Sequence, residues 1–176
     1  MPSKTARKAV KAYIDPLQKS VAIVCEGVLR ANNYDQLQTT SIVTLPEAAR
    51  LNGRPDLYLS FEQQYRIIED PKNGPYRVTT RYYSYAIETQ DAEEVVGYHW
   101  HPDGQSPVRF PHLHLGRAAQ IGMPEINRKA HFPTGRVAFE DIVELLVGTF
   151  GVRPRRNPWQ AVIAATRAAF ARQKSW

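Results

Sequence analysis

The stretch Arg77–His101 reads RVTTRYYSYAIETQDAEEVVGYHWH, and its folding decides the architecture. Its first half is rich in β-branched and aromatic residues, as strands are. The acidic QDAEE at Gln90–Glu94 fits a hairpin turn, after which VVGYHWH runs back as a second strand. Upstream, Leu57, Leu59 and Phe61 alternate with Tyr58, Ser60 and Glu62, the period of a half-buried strand. Downstream, PHLHL reads as a further short strand. An antiparallel sheet over residues 57–116 is the expected middle of the chain.

Helical patterns flank it. Leu17, Val21, Val24 and Val28 recur at helical spacing after Asp15-Pro16, which reads as a helix start, and 1–50 is expected to be a helical region. Lys4, Arg7, Lys8 and Lys11 have the spacing of one helix face, on a short separate helix or an arm. Phe139, Ile142, Val143, Leu146 and Phe150 fit one C-terminal helix. Trp159, Val162, Ile163, Thr166 and Phe170 fit a second, behind an Asn157 cap and Pro158, so 137–175 should hold two helices. The fold class expected is α+β: one domain, 1–176, with an antiparallel sheet between N-terminal and C-terminal helices.

Composition bounds the rest. The chain has 176 residues, 43% hydrophobic and 23% charged, an ordinary globular balance. No apolar run is longer than VAIVC at Val21–Cys25, far short of a membrane span, and no signal-peptide core opens the chain. A single cysteine, Cys25, builds no disulfide framework, so a cytoplasmic home and a buried structural thiol are expected. The net charge of +6 is concentrated: Arg153, Arg155, Arg156, Arg167, Arg172 and Lys174 follow Phe150 with no acidic residue among them. Arg153, Arg155 and Arg156, with Lys4, Lys8 and Lys11, are candidates for gripping nucleic-acid phosphates or an acidic protein. Solvated helix faces are the plainer reading.

Four of the five histidines fall in YHWHPDGQSPVRFPHLHL, as two His-x-His pairs. Residues two apart on a strand share a face. His99 and His101 therefore point away from Val96, Tyr98 and Trp100, and His112 and His114 away from Leu113 and Leu115. If the two segments pair, all four imidazoles converge beneath a long loop containing Arg109. Such a cluster could hold zinc or another divalent transition metal. It could equally transfer protons in metal-free phosphodiester cleavage, with Arg109 stabilising phosphate charge, or be structural. His131, in KAHFPTG, reads as a surface loop residue, with membership of the site as the alternative. Tyr82, Tyr83 and Tyr85 could stack bases, although strand aromatics more often pack.

EEVVGYHWHPDG, then PHLHLG, then VAFEDIVELLVGTF resembles the layout of TumE-like toxins of bacterial toxin–antitoxin systems, over about Tyr76–Phe150. The resemblance implies a toxin neutralised by an antitoxin protein, with His112 and His114 as the family's His-x-His and His99–His101 at the preceding strand end. The chain departs from the family in its His-Trp-His step and in its added helical ends. Together these readings point to a cytoplasmic ribonuclease acting on RNA through His99, His101, His112 and His114. A histidine-coordinated metalloprotein and a basic binding module are the alternatives.

Overall fold

The structure, a computed structural model, describes residues 5–70, 74–120 and 130–173. In chain order the elements are helix α1 (Ala6–Val24), strands β1 (Arg30–Ala31), β2 (Ser41–Thr44), β3 (Ala49–Leu51), β4 (Arg54–Asp70), β5 (Gly74–Thr89), β6 (Glu94–Trp100), β7 (His112–Leu115) and β8 (Phe132–Pro133), then helices α2 (Phe139–Gly148) and α3 (Trp159–Gln173). The strands form one antiparallel sheet in the order β1-β2-β4-β5-β6-β7-β8, with β3 also paired to β4. The α+β fold expected from sequence is the fold observed. Its long hairpin β4–β5 carries the alternation read from Leu57–Phe61 and Arg77–Ile87.

Alternation sorts the two faces of the sheet. Leu57, Leu59, Phe61, Tyr65 and Ile67 of β4 and Tyr83, Tyr85 and Ile87 of β5 are buried inward. The helices cover this face. Phe139 of α2 lies edge-on to Phe61, with ring centres 4.9 Å apart, and 5.4 Å from Tyr85. Tyr13 of α1 meets Tyr65 at 5.5 Å and Phe170 of α3 at 5.8 Å. Burying each such ring contributes about 1.5–3 kcal/mol. One polar residue sits among them: the Gln63 amide accepts from Tyr13 and donates to Tyr85, so it is hydrogen-bonded at both ends. Arg167 bridges Asp141 and Glu144, tying α3 to α2.

The N-terminal third departs from the sequence reading. Asp15-Pro16 does not start a helix. Helix α1 begins at Ala6, with the Thr5 side chain accepting from the Lys8 amide (3.2 Å), and Pro16 lies inside it, buried. Its apolar stripe outweighs the amide that proline lacks. Nor is 1–50 helical throughout. The helix ends at Val24, Val28 is 65% exposed beyond it, and β1, β2 and β3 occupy the rest. These strands are two to four residues long, too short for periodicity to reveal. The two C-terminal helices stand where expected. Among the described residues, no helix is long and apolar enough to cross a membrane.

Candidate functional site

The outer face of β6 and β7 gathers the histidines. His99 stands directly across from His112, and Gly97 across from His114. Opposite them, Val96 and Trp100 are buried and Tyr98 and Leu115 pack against the core. The His99 and His114 rings stack 4.6 Å apart at 17°, His99 and His112 lie 5.8 Å apart, and His101 and His112 meet edge-on at 5.3 Å. The two His-x-His pairs thus form one cluster, as their spacing predicted.

Two further residues join the cluster: His131, for which the sequence offered site membership only as the alternative, and Glu94, which it did not single out. His131, expected on the surface, is exposed but belongs to the patch: its ring centre lies 4.8 Å from that of His112 and 6.0 Å from that of His114. Strand β8 places it there by pairing Phe132 with Leu113 and Pro133 with His112. The other is Glu94, which strict alternation would put on the core face with Val96. The β5–β6 register shifts between Ile87 and Glu88, so that Val96 opposes Ile87 while Glu94 opposes Glu88. Such a bulge turns the following side chain over. Val95 then packs on the core beside Val96, and the Glu94 carboxylate swings to the histidines.

Glu94 Oε1 lies 2.7 Å from His114 Nδ1, a charge-assisted contact. Its Oε2 lies 3.9 Å from His99 Nε2, beyond hydrogen-bonding reach. Burial opposes ionisation of this carboxyl, but the hydrogen bond from His114 and the presence of His99 outweigh it and hold the pKa down to about 2. His99 Nε2 is buried without a hydrogen-bond partner.

Two glycines shape the surroundings. A Cβ on Gly97 would lie 2.6 Å from both Glu94 Oε2 and His99 Nε2, so its bare Cα leaves a space between these donors. A Cβ on Gly116 would lie 1.8 Å from the Glu94 carbonyl oxygen, and the Gly116 amide donates to the Val95 carbonyl (3.0 Å).

His112 is 1% exposed, and its Nδ1 lies 2.9 Å from the Phe110 carbonyl. A carbonyl only accepts, so Nδ1 carries the proton and Nε2 presents a lone pair. Burial, and then the neighbouring His131, His99 and His101, lower its pKa, although the Phe110 carbonyl pulls the other way.

The remaining candidates distribute differently. Arg109 is exposed on the loop between β6 and β7, whose start is tied to β5 by Arg81 and Asp103 (2.7 Å). Tyr83 and Tyr85 are core residues, not a stacking surface, and Tyr82 alone of the three faces outward, 6.4 Å from His101. The basic connector after α2 docks on the end of α1. The Arg155 guanidinium donates to the Cys25 carbonyl (3.1 Å) and pairs with Glu26, and the Arg153 amide donates to the Asn52 carbonyl (2.9 Å). Arg156, Lys8 and Lys11 are exposed. Lys4 lies outside the described residues. Cys25 is buried, as expected of a structural thiol. Comparisons with protein-family models, curated proteins and solved structures give no match for this chain.

Proposed function

We propose that this protein is a toxin-like ribonuclease whose reactive centre is the histidine face of β6 and β7. The observation that carries this reading is the fixed tautomer of His112. Its Nδ1–H is held by the Phe110 carbonyl, so its Nε2 is a proton acceptor beside the imidazoles of His101 and His131. Two imidazoles with separate proton roles are what cleavage of RNA requires. His112 Nε2 takes the proton of a ribose 2′-hydroxyl, and the 2′-oxygen attacks phosphorus. The bond to the 5′-oxygen breaks, and His101 gives that oxygen a proton, leaving a 2′,3′-cyclic phosphate and a free 5′-hydroxyl. Arg109, exposed on the loop between β6 and β7, is the cation we assign to offset the crowded phosphate charge.

The net charge of +6 supports attraction to RNA, with Arg156, Lys8 and Lys11 as exposed contributors. A cytoplasmic bacterial setting and a neutralising antitoxin protein follow from the resemblance to TumE-like toxins and belong to the same proposal.

The test uses two oligonucleotides of one base sequence, single-stranded RNA and single-stranded DNA. RNA should be cut to products ending in 2′,3′-cyclic phosphate, while DNA, lacking the 2′-hydroxyl, stays intact. His112→Ala and His101→Ala should each slow cleavage by about 10²–10⁴-fold. Intact RNA, or DNA cut equally well, overturns the reading.

A further inference from the structure

We infer that Glu94, His99 and His114 form a binding site for one divalent transition-metal ion of the zinc class. The inference builds on the reactive face proposed above by giving it a cofactor, but its central test does not depend on RNA cleavage.

One donor atom from each of these residues lies within 4.8 Å of the other two. Two imidazole nitrogens and a carboxylate oxygen suit zinc and its neighbours, whereas magnesium and calcium favour oxygen. At bond lengths of about 2.1 Å, tetrahedral ligand atoms stand roughly 3.4 Å apart, so Glu94 and His99, at 3.9 Å, need close only a little, while Glu94 and His114, at 2.7 Å, would open slightly.

Two independent features point to a ligand in this space. His99 Nε2 is buried with no hydrogen-bond partner, and a buried unpaired nitrogen is costly unless something fills its lone pair. It faces Glu94 Oε2 at 3.9 Å, a separation too long for a hydrogen bond and suited to an intervening ion. The second feature is Gly97. Any other residue there would place a Cβ 2.6 Å from both donors. Strand propensity does not explain glycine in the interior of β6, but an open cradle does. His99, His114 and Glu94 are all partly exposed, so an ion held by three protein ligands would keep a position open to the solvent side, as hydrolytic zinc centres do.

The experiment begins with the full chain stripped by chelator and dialysed. Zinc is titrated calorimetrically, and cobalt(II) is added separately while its visible absorption is followed. We expect one ion per chain with a Kd in the micromolar range or tighter, and cobalt absorption in the range of a four- or five-coordinate centre. Glu94→Gln, which keeps the side-chain shape, should weaken zinc at least tenfold. Gly97→Ala, which keeps every donor and fills the cradle, should weaken it as much, while His101→Ala should bind like the wild type. Circular dichroism of each metal-free variant identifies any that fail to fold, and Glu94→Gln then decides alone. Wild-type protein that takes up no zinc overturns the inference. So does a folded Glu94→Gln variant that binds as tightly as the wild type. Cleavage of RNA is read separately, with and without chelator. Zinc binding without cleavage leaves the metal site standing and removes the ribonuclease reading. Cleavage by a chain that binds no zinc does the reverse.

Discussion

Glu94 and His114 meet across strands β6 and β7, with carboxylate oxygen Oε1 2.7 Å from imidazole Nδ1. The contact depends on two backbone details. The bulge opposite Ile87 and Glu88 turns Glu94 outward, and Gly116 lets the end of β7 lie against the Glu94 carbonyl. Neither detail involves a side chain of the histidine cluster, so both can be tested without touching it.

Gly116→Ala should be the more damaging change. Its Cβ would meet the Glu94 carbonyl oxygen at 1.8 Å, a backbone atom that cannot rotate away. Overpacking of this kind costs about 1–3 kcal/mol or more. At Gly135 an added Cβ meets nothing within 4 Å, so Gly135→Ala should be close to neutral. Urea unfolding of the two variants measures the difference. Equal midpoints would show that β7 yields where the geometry says it cannot.

The core packing gives a second prediction. Phe139 is 1% exposed and wedged between Phe61 and Tyr85. Phe139→Ala should destabilise by about 3–5 kcal/mol, the usual cost of deleting a buried aromatic ring. Phe150, partly buried beyond the end of α2, should cost visibly less when replaced by Ala. Thermal unfolding of both variants ranks them.

These residues also show how much was legible in the sequence. Phe139 and its helix were readable, because period 3.6 needs no partner to be seen. The same holds for Leu57, Leu59 and Phe61, and for the two histidine pairs, whose period of two survives pairing intact. Glu94 was hidden because one inserted residue reverses the alternation, and a bulge leaves no mark in hydrophobicity. For His131 the sequence left a surface loop and site membership both open, because β8 has two residues and is defined only by its pairing with β7. Asp15-Pro16 misled for the opposite reason: a strong local start signal was overridden by the tertiary packing of α1.

The basic connector yields a third prediction. Arg155 and Arg156 are both exposed, but Arg155 holds the Cys25 carbonyl and Glu26. Arg155→Ala should therefore lower stability by about 1 kcal/mol, a modest figure because the ion pair is partly solvated. Arg156→Ala should leave stability unchanged and reduce the salt dependence of RNA binding by the share of one phosphate contact. Chemical denaturation and binding titrations at two salt concentrations separate the roles. An Arg155→Ala chain as stable as the wild type would mean that the connector does not need this tether.

The last prediction concerns Glu140, at the start of α2 and 1% exposed. Its Oε1 has no hydrogen-bond partner. Burial raises its pKa above the ordinary 4.5, Asp141 adds to the rise, and Thr166 and Arg167 oppose it without cancelling it. A carboxyl with a raised folded pKa holds its proton more tightly in the folded chain than in the unfolded one. Its contribution to stability is therefore full below about pH 4.5, where both states are protonated. As pH rises, the unfolded chain ionises first, and stability declines until the folded group ionises too. Above that point the loss is constant, at about 1.4 kcal/mol for each unit by which the pKa is raised. Glu140→Gln removes the titration but keeps the shape. Relative to the wild type, the variant should gain stability as pH rises above about 4.5 and then level off once the folded Glu140 ionises, with the two chains most alike at the acid end. Other carboxylates titrate in both proteins and cancel in the difference. Urea midpoints at four or five pH values suffice, and two curves that run parallel across the range would mean that Glu140 ionises in the fold as easily as in water.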